Sequence, residues 1–522
     1  MTEKTFQFKI VSIGTCLILI LFLAWNIWFA AAGFLASDDG FYSEAAIKWM
    51  NDGAYVGETH WSLRQTLVLP LSIVYGVLGV SEAALVSVST AYFLLLLALL
   101  TWWLRRKYSL QAAGMFLILA ATAPGFVALA GTANVDVIEM FFMALSLILF
   151  WEARSRSNIK LLLFLSGLAL GLAFLSRATA VALVLSYGVF FIAGAYHQRK
   201  RYYVLAAGAF SVFVVDTVYY FIQTGDLLYR LNTMLFSHLR VGNPQAWVTT
   251  AGTGNFLEGT ALEPIAMLLV NNEFGLIFFA AILLYFLAVR SGKKLVSANE
   301  WLIFFYVAIV HFIVVGYLMG LRPLPRYFSF SFLPALLVLS VLLPKFFETR
   351  VFWHRILAYS MTFSLVISGL ILTDLSDRTP RRAEELLVRL SVKNPGLTMA
   401  GDTRICGRAS QFLALKNPHG TNAAICAGLT EADIVLVPLD KFNGRRFASA
   451  GLAKNYSSFT LATRYPGTPT VSGRVVAWFG LENILPLPKR FYYTNSDIFV
   501  FVRRDTAADI KNTLGRGQKG AT

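Results

Sequence analysis

Two adjacent carboxylates, Asp38 and Asp39, directly follow an apolar run long enough to cross a bilayer. A third, Asp136, lies in Asn134-Val135-Asp136 after a later run, with Glu139 about one helical turn further on. Four arginines, Arg64, Arg177, Arg322 and Arg326, stand in the loops on the same side. A carboxylate can act as general base, taking a proton from an acceptor hydroxyl or amine. A guanidinium stays charged and grips phosphate with its planar fork, so it can hold and stabilise a departing phosphate. Together these groups suit transfer of a group from a lipid-linked phosphate at a membrane surface. Each also has a plainer role. An aspartate caps a helix N-terminus, although capping accounts for only one member of the Asp38–Asp39 pair. The arginines can snorkel or pair with nearby acids.

The elements that position these groups are membrane spans. The chain has 522 residues, of which 57% are hydrophobic and 14% charged. A soluble protein carries about a quarter charged residues, so the composition indicates an α-helical polytopic membrane protein. Eleven spans are expected, at 10–35, 83–104, 109–130, 137–152, 161–176, 178–196, 203–222, 273–289, 301–320, 328–344 and 356–374. The first run, Ile10 to Ala36, is too long for the core of a signal peptide and reads as a membrane anchor.

Five loops between these runs carry three basic residues each: Arg105–Lys107, Arg154/Arg156/Lys160, Arg199–Arg201, Arg290/Lys293/Lys294 and Lys345/Arg350/Arg355. Cytoplasmic loops carry such an excess. The opposite loops, up to the last span, hold eleven acids against seven Lys/Arg. The N-terminus is therefore expected inside, with the Asp- and Arg-bearing loops and the C-terminal segment outside. The net charge of +16 follows this topology and does not indicate nucleic-acid binding.

Two outer segments are long. In 36–82, Asp39 to Met50 can form an interfacial amphipathic helix anchored by Trp49, and Leu67–Leu78 reads as a re-entrant or surface element. The other, 223–272, is rich in Gly, Asn and Thr and reads as a flap. Two domains are expected: a transmembrane catalytic region over 1–375 and a small extracytoplasmic α/β domain over 376–522. In the latter, β-type runs are expected at Ala432–Leu439, Ser458–Thr463, Arg474–Phe479 and Asp497–Arg503, and helices at Arg382–Leu390 and Arg408–Leu415. Cys406 and Cys426 lie where a disulfide is permitted, and the sequence leaves their pairing open. A lone histidine is usually structural, and His60, in the acid-bearing loop, is the one with a candidate role.

Four segments resemble the C-type glycosyltransferase superfamily, in the branch of the lipid A aminoarabinose transferases and protein O-mannosyltransferases. They are Ser37-Asp38-Asp39-Gly40-Phe41-Tyr42-Ser43-Glu44, Thr132–Asp136 with Phe141-Phe142, Gly167–Leu175 closed by Ser176-Arg177, and Pro325-Arg326-Tyr327 through Leu336. Their order and topology carry the resemblance, over about the first 340 residues. It implies a polyprenyl-phosphate sugar donor and inverting transfer at the outer face; an envelope glycan or lipid acceptor of lipopolysaccharide type is expected by analogy with the commoner role of such bacterial chains. It gives Asp38 or Asp39 the base role, with Asp136 beside them. It assigns the carrier phosphate to Arg64, Arg177 and Arg326; by position Arg322 and Tyr327 are further phosphate candidates, and Tyr42, His60 and Glu139 are candidate substrate contacts. The chain departs from the pattern where Asp38-Asp39 replaces Asp-Glu and where Arg64-Gln65-Thr66 replaces Lys-Pro-Pro. A divalent metal is used by some members, and Asp38, Asp39 and Asp136 would be its oxygen ligands here. The expected setting is a bacterial inner membrane with a periplasmic active site. The rivals are a transporter or flippase of a lipid-linked substrate, to which Asp216 and His311 within spans would point, and a protein O-glycosyltransferase.

Overall fold

The computed structural model describes residues 21–240 except 156, then 260–270, 275–290, 299–319, 324–376 and 379–505, the last with breaks at 395, 402, 417–425, 427–430, 439–457, 482–488 and 496. The chain divides into two compact units. The first comprises Met1–Ala31, Glu44–Val77 and Val86–Thr373, and the second Ala32–Ser43, Leu78–Leu85 and Asp374–Thr522.

The first unit is helical. Five helices are long and apolar enough to cross a membrane: Glu82–Lys107, Ile159–Ser176, Arg199–Thr224, Pro325–Phe347 and Phe352–Leu375. A sixth span forms if Leu110–Thr122 and Pro124–Ala130 are joined. That pair bends by 76°, so the straight span expected over 109–130 is broken. Pro124 explains the break: it has no N–H to donate and holds Ala123 extended, at φ −74° and ψ 113°. Asn26 donates its side-chain amide to the Ala121 carbonyl just before the bend. Shorter apolar helices cover Leu21–Ala30, Gln65–Leu78, Ala178–Ala193, Leu276–Arg290 and Ile303–Leu318. Of the outer segment 223–272, helices Tyr229–Arg240 and Glu263–Val270 are described, and the 241–259 stretch of the expected flap lies outside the described residues.

The two ends of this helix bundle differ in chemistry. At one end the basic loops touch each other. Lys107 pairs with Glu152 at 3.0 Å. Arg154 lies over the rings of Trp151 and Tyr196. Gln111 donates to Glu348 at 2.9 Å. Arg199 donates to the Phe191 and Ile192 carbonyls, satisfying the last turn of the preceding helix. At the other end, Ser89 bonds Asn134 and Thr66 bonds Ser176.

Helices Ile159–Ser176 and Arg199–Thr224 approach to backbone contact through Gly167, Gly171 and Gly208. A Cβ on Gly208 would fall on the Phe164 carbonyl, and one on Gly167 on that of Leu205. Small residues allow such packing where lipid offers no hydrophobic drive for helix association. Gly208→Val is expected to destabilise by about 1–3 kcal/mol through overpacking. Gly188, with nothing within 4 Å of its would-be Cβ, is the control. Thermal melting in detergent should lower Tm for Gly208→Val and leave it unchanged or raised for Gly188→Ala. Equal melting of the two variants would count against the close approach.

The second unit holds a four-stranded sheet in the order β1-β2-β4-β3, where β1 is Met399–Ala400, β2 Ile434–Pro438, β3 Phe459–Tyr465 and β4 Ile498–Arg503. Strand β1 runs parallel to β2, and β4 antiparallel to both β2 and β3. Ala400, Ala432, Val435 and Phe459 form a core on which Phe501 packs. Helices Arg382–Lys393 and Thr403–Lys416 contain the two helical stretches expected from the sequence. The run Arg474–Phe479, expected as a strand, is instead part of helix Val471–Trp478. Capping overrides its β-propensity. The Thr470 hydroxyl accepts from Gly473 N–H, and the Asp374 carboxylate accepts from the N–H groups of Val471 and Ser472. Cys406 and Cys426 are joined by a disulfide, Cα–Cα 5.8 Å.

Candidate active site

At the acid-bearing end of the first unit, four helix termini converge. Asp136 occupies the first turn of helix Val135–Glu152, started by Asn134, whose side chain accepts from Asp136 N–H. The Asp136 carboxylate forms an ion pair with Arg177, and both side chains are almost fully buried. Arg177 is the extended residue that ends helix Ile159–Ser176. Its guanidinium centre lies 4.0 Å from the Tyr327 ring centroid. Arg326 stands over the same ring at 5.1 Å. Both residues of Arg326-Tyr327 belong to the 3₁₀ turn Pro325–Phe328, which the fixed φ of Pro325 favours. Two cations therefore flank one aromatic ring, a costly crowding of like charge that one buried carboxylate offsets in part.

Around this pair lies a polar shell. The Arg64 guanidinium donates to the Ser176 carbonyl at 3.4 Å. Glu139 accepts from the Thr179 hydroxyl at 2.5 Å. His311 bonds Ser331 at 3.0 Å. Arg230 donates to Asp216 at 3.0 Å, to the Leu63 carbonyl at 3.0 Å and to the Leu175 carbonyl at 3.2 Å. Arg230 thereby ties the loop bearing Arg64 to the turn bearing Arg177. Gln65 adds a bond to the Tyr220 hydroxyl at 2.8 Å. The sequence offers no local pattern for the Arg230–Asp216 pair, because the helix end at Gly225 separates them.

One helical turn along from Tyr327, Ser331 and Pro334 enter the lining of an apolar groove of about 380 Å³, with Leu268, Phe278, Ile282 and Phe312. Trp49 stacks on Tyr219 at 5.4 Å, so the expected interfacial anchor packs on the bundle. His60 lies against Trp61, with centroids 3.9 Å apart. Arg322 lies outside the described residues.

Asp38 and Asp39 fall in the second unit, at the start of helix Asp38–Asp52. Their environments differ. Asp39 is 3% exposed, and its carboxylate accepts from the N–H groups of Leu35, Ser37 and Gly40. Burial pushes its pKa up to about 6 against the pull of those N–H bonds. Asp38 is half-buried. Tyr42, one turn on, is buried. Among the described residues no three His, Cys, Asp or Glu are grouped as a metal site requires. Asp136 is taken up by Arg177 and Asp39 by backbone N–H groups, so these carboxylates do not fit as a ready ligand set.

A family model described as dolichyl-phosphate-mannose-protein mannosyltransferase matches residues 69–221. That stretch holds Asp136, Glu139, Arg177, Asp216 and Tyr220. No curated protein sequence matches the chain. The crystal structure of ArnT from Cupriavidus metallidurans in the apo state is similar to this chain with TM-score 0.51 and 12% identity, over 94% of this chain and 98% of that one. The same protein bound to undecaprenyl phosphate gives TM-score 0.52 at 12% identity, over 92% and 97%. The chain thus shares the fold of ArnT. A weaker likeness, TM-score 0.46 at 15% identity over 78% of this chain and 60% of that one, is to the archaeal oligosaccharyltransferase AglB from Archaeoglobus fulgidus. The likeness in fold to ArnT extends over nearly the whole length of that protein.

Proposed function

We propose that this chain transfers a sugar from a polyprenyl-phosphate donor to an envelope glycolipid or glycan, of lipopolysaccharide or lipid A type, at the periplasmic face of a bacterial inner membrane. The observation that carries the reading is the Arg177–Tyr327–Arg326 stack beside the buried Asp136, one turn from an apolar groove. The arginines would hold the carrier phosphate, and the groove would take the first isoprene units. Arg64 and Arg322 would add contacts to the same phosphate. Binding of undecaprenyl phosphate by ArnT, the structural neighbour, supports a donor of this class. Helix Val135–Glu152 and the shorter apolar helices Leu21–Ala30, Ala178–Ala193, Leu276–Arg290 and Ile303–Leu318 would complete eleven spans, with the disulfide-bearing C-terminal segment outside, where oxidation is permitted.

Asp38 is the base in this reading. Asp38 is the half-buried member of the acidic pair that opens helix Asp38–Asp52, and Asp39 accepts from the three N–H groups that fold the loop. Asp38 would take the proton of an acceptor hydroxyl as that oxygen attacks the sugar's anomeric carbon. The bond to the phosphate oxygen breaks, its electron pair passes to the phosphate, and the configuration inverts. Asp39 would hold the loop, and Tyr42, His60 and Glu139 would be substrate contacts. No step passes through a metal.

A transporter is less favoured, because the ionisable groups within its spans are committed to protein partners: Asp216 to Arg230 and His311 to Ser331. The test is release of free polyprenyl phosphate by protein in detergent, given a sugar-loaded polyprenyl phosphate with either a lipid A-type glycolipid or a Ser/Thr peptide. Release that needs the glycolipid is the expected result, and release that needs the peptide would turn the reading to protein O-glycosylation. Movement of the intact donor across liposomes without release would replace the enzyme with a flippase.

A further inference from the structure

The loop ahead of Asp38 is held in an unfavourable backbone. Ala36 has φ +48° and Gly33 φ +66°. Glycine adopts that region freely, whereas an alanine Cβ clashes there, so the surroundings must impose it. Within the second unit the restraints can be named. Phe34 N–H donates to Glu82 at 2.7 Å. The Phe34 ring meets Phe412 edge-on at 4.9 Å. Gln411 crowds Gly40 so closely that a Cβ there would meet its amide oxygen at 2.9 Å. Arg381 donates through Nε to the Leu35 carbonyl at 2.5 Å, and its charge acts on Asp39. Glu384, itself buried, faces both Arg381 at 3.8 Å and Arg408 at 3.6 Å. Arg408, Gln411 and Phe412 share helix Thr403–Lys416, which carries the disulfide-bonded Cys406.

We propose that Arg381 is a positioning residue: from the C-terminal segment it fixes the backbone of Leu35–Gly40 and so aims Asp38 at the acceptor. The inference rests on Asp38 being the base under the proposed function. It gives the C-terminal segment a part in catalysis apart from any acceptor binding. Loss of Arg381 removes a charge-assisted bond to Leu35 and a cation acting on Asp39, while the sheet of the domain is left alone.

Hydrogen exchange by mass spectrometry on the full chain in detergent, comparing wild type, Arg381→Gln and Arg381→Lys, tests the hold directly. In Arg381→Gln the Leu35 and Ser37 amides should exchange about tenfold faster or more, as expected for loss of a charged hydrogen bond, while β2 and β4 keep their protection. In the transfer assay kcat should fall about tenfold or more with KM for the donor within about twofold, and Arg381→Lys should recover part of both. If Arg381→Gln does not fold, Phe412→Leu probes the same restraint and should also speed exchange at Leu35. Unchanged exchange at Leu35 and Ser37 in a folded variant overturns the proposal, as does an unchanged kcat in a wild type that turns over. If the wild type transfers no sugar, the proposed function fails, and the exchange result still decides whether Arg381 holds the loop.

Discussion

Replacing Asp38 by Asn should lower kcat for sugar transfer by about 10²–10⁴-fold while leaving the affinity for polyprenyl phosphate unchanged, because general-base catalysis contributes a factor of that size. The amide keeps the shape of the carboxylate and loses only its basicity. Asp39→Asn should behave differently. Its carboxylate accepts from three backbone N–H groups, and an amide oxygen with an NH₂ beside it cannot accept them all. The expected loss is therefore one of loop order, read as faster exchange of the Leu35 and Ser37 amides, with kcat falling as a consequence. Steady-state release of polyprenyl phosphate, with donor affinity measured separately, distinguishes the two. If Asp38→Asn retains full turnover and Asp39→Asn has none with an ordered loop, the base is Asp39 and the assignment is reversed.

The second large effect concerns Asp136 and Arg177. Both side chains are nearly excluded from solvent, and Arg177 also lies against Tyr327. Removing one partner of a buried pair leaves an uncompensated charge, at about 3–5 kcal/mol. Asp136→Ala is therefore expected to lower stability by about that amount. The double variant Asp136→Ala/Arg177→Leu should recover much of the loss, since no orphan charge remains. Melting of the four proteins in one detergent gives the double-mutant cycle. Binding separates the roles further. Arg177→Leu should weaken polyprenyl phosphate binding, and Asp136→Ala should not, because it leaves the cation in place. Wild-type stability in Asp136→Ala would show that the pair is not sealed from water.

Much of the helical region was legible in the sequence. Long apolar runs and their Lys/Arg loops follow from hydrogen bonding and charge in a bilayer, which act on composition and order alone. Arg177 and Arg326 were identifiable because a cation at the wrong end of a span stands out, Asp136 as an acid of the opposite loops, and Tyr327 through the motif it shares with Arg326. Their convergence could not be read there, since the ion pair joins residues from different helices. The break at Pro124 was written in one residue and masked by the apolar run around it. The strand expected at Arg474–Phe479 became a helix because Asp374, about a hundred positions earlier, binds the N–H groups of its first turn.

Sequence alone thus determined which segments are apolar and which side chains have chemistry to offer. Those are properties of residue type and spacing. Tertiary structure decided that Asp39 accepts from three backbone N–H groups, that Arg230 and Arg381 bond loops far away in sequence, and that two cysteines meet. Each of these depends on contacts between distant parts of the chain, which only packing in three dimensions brings into reach.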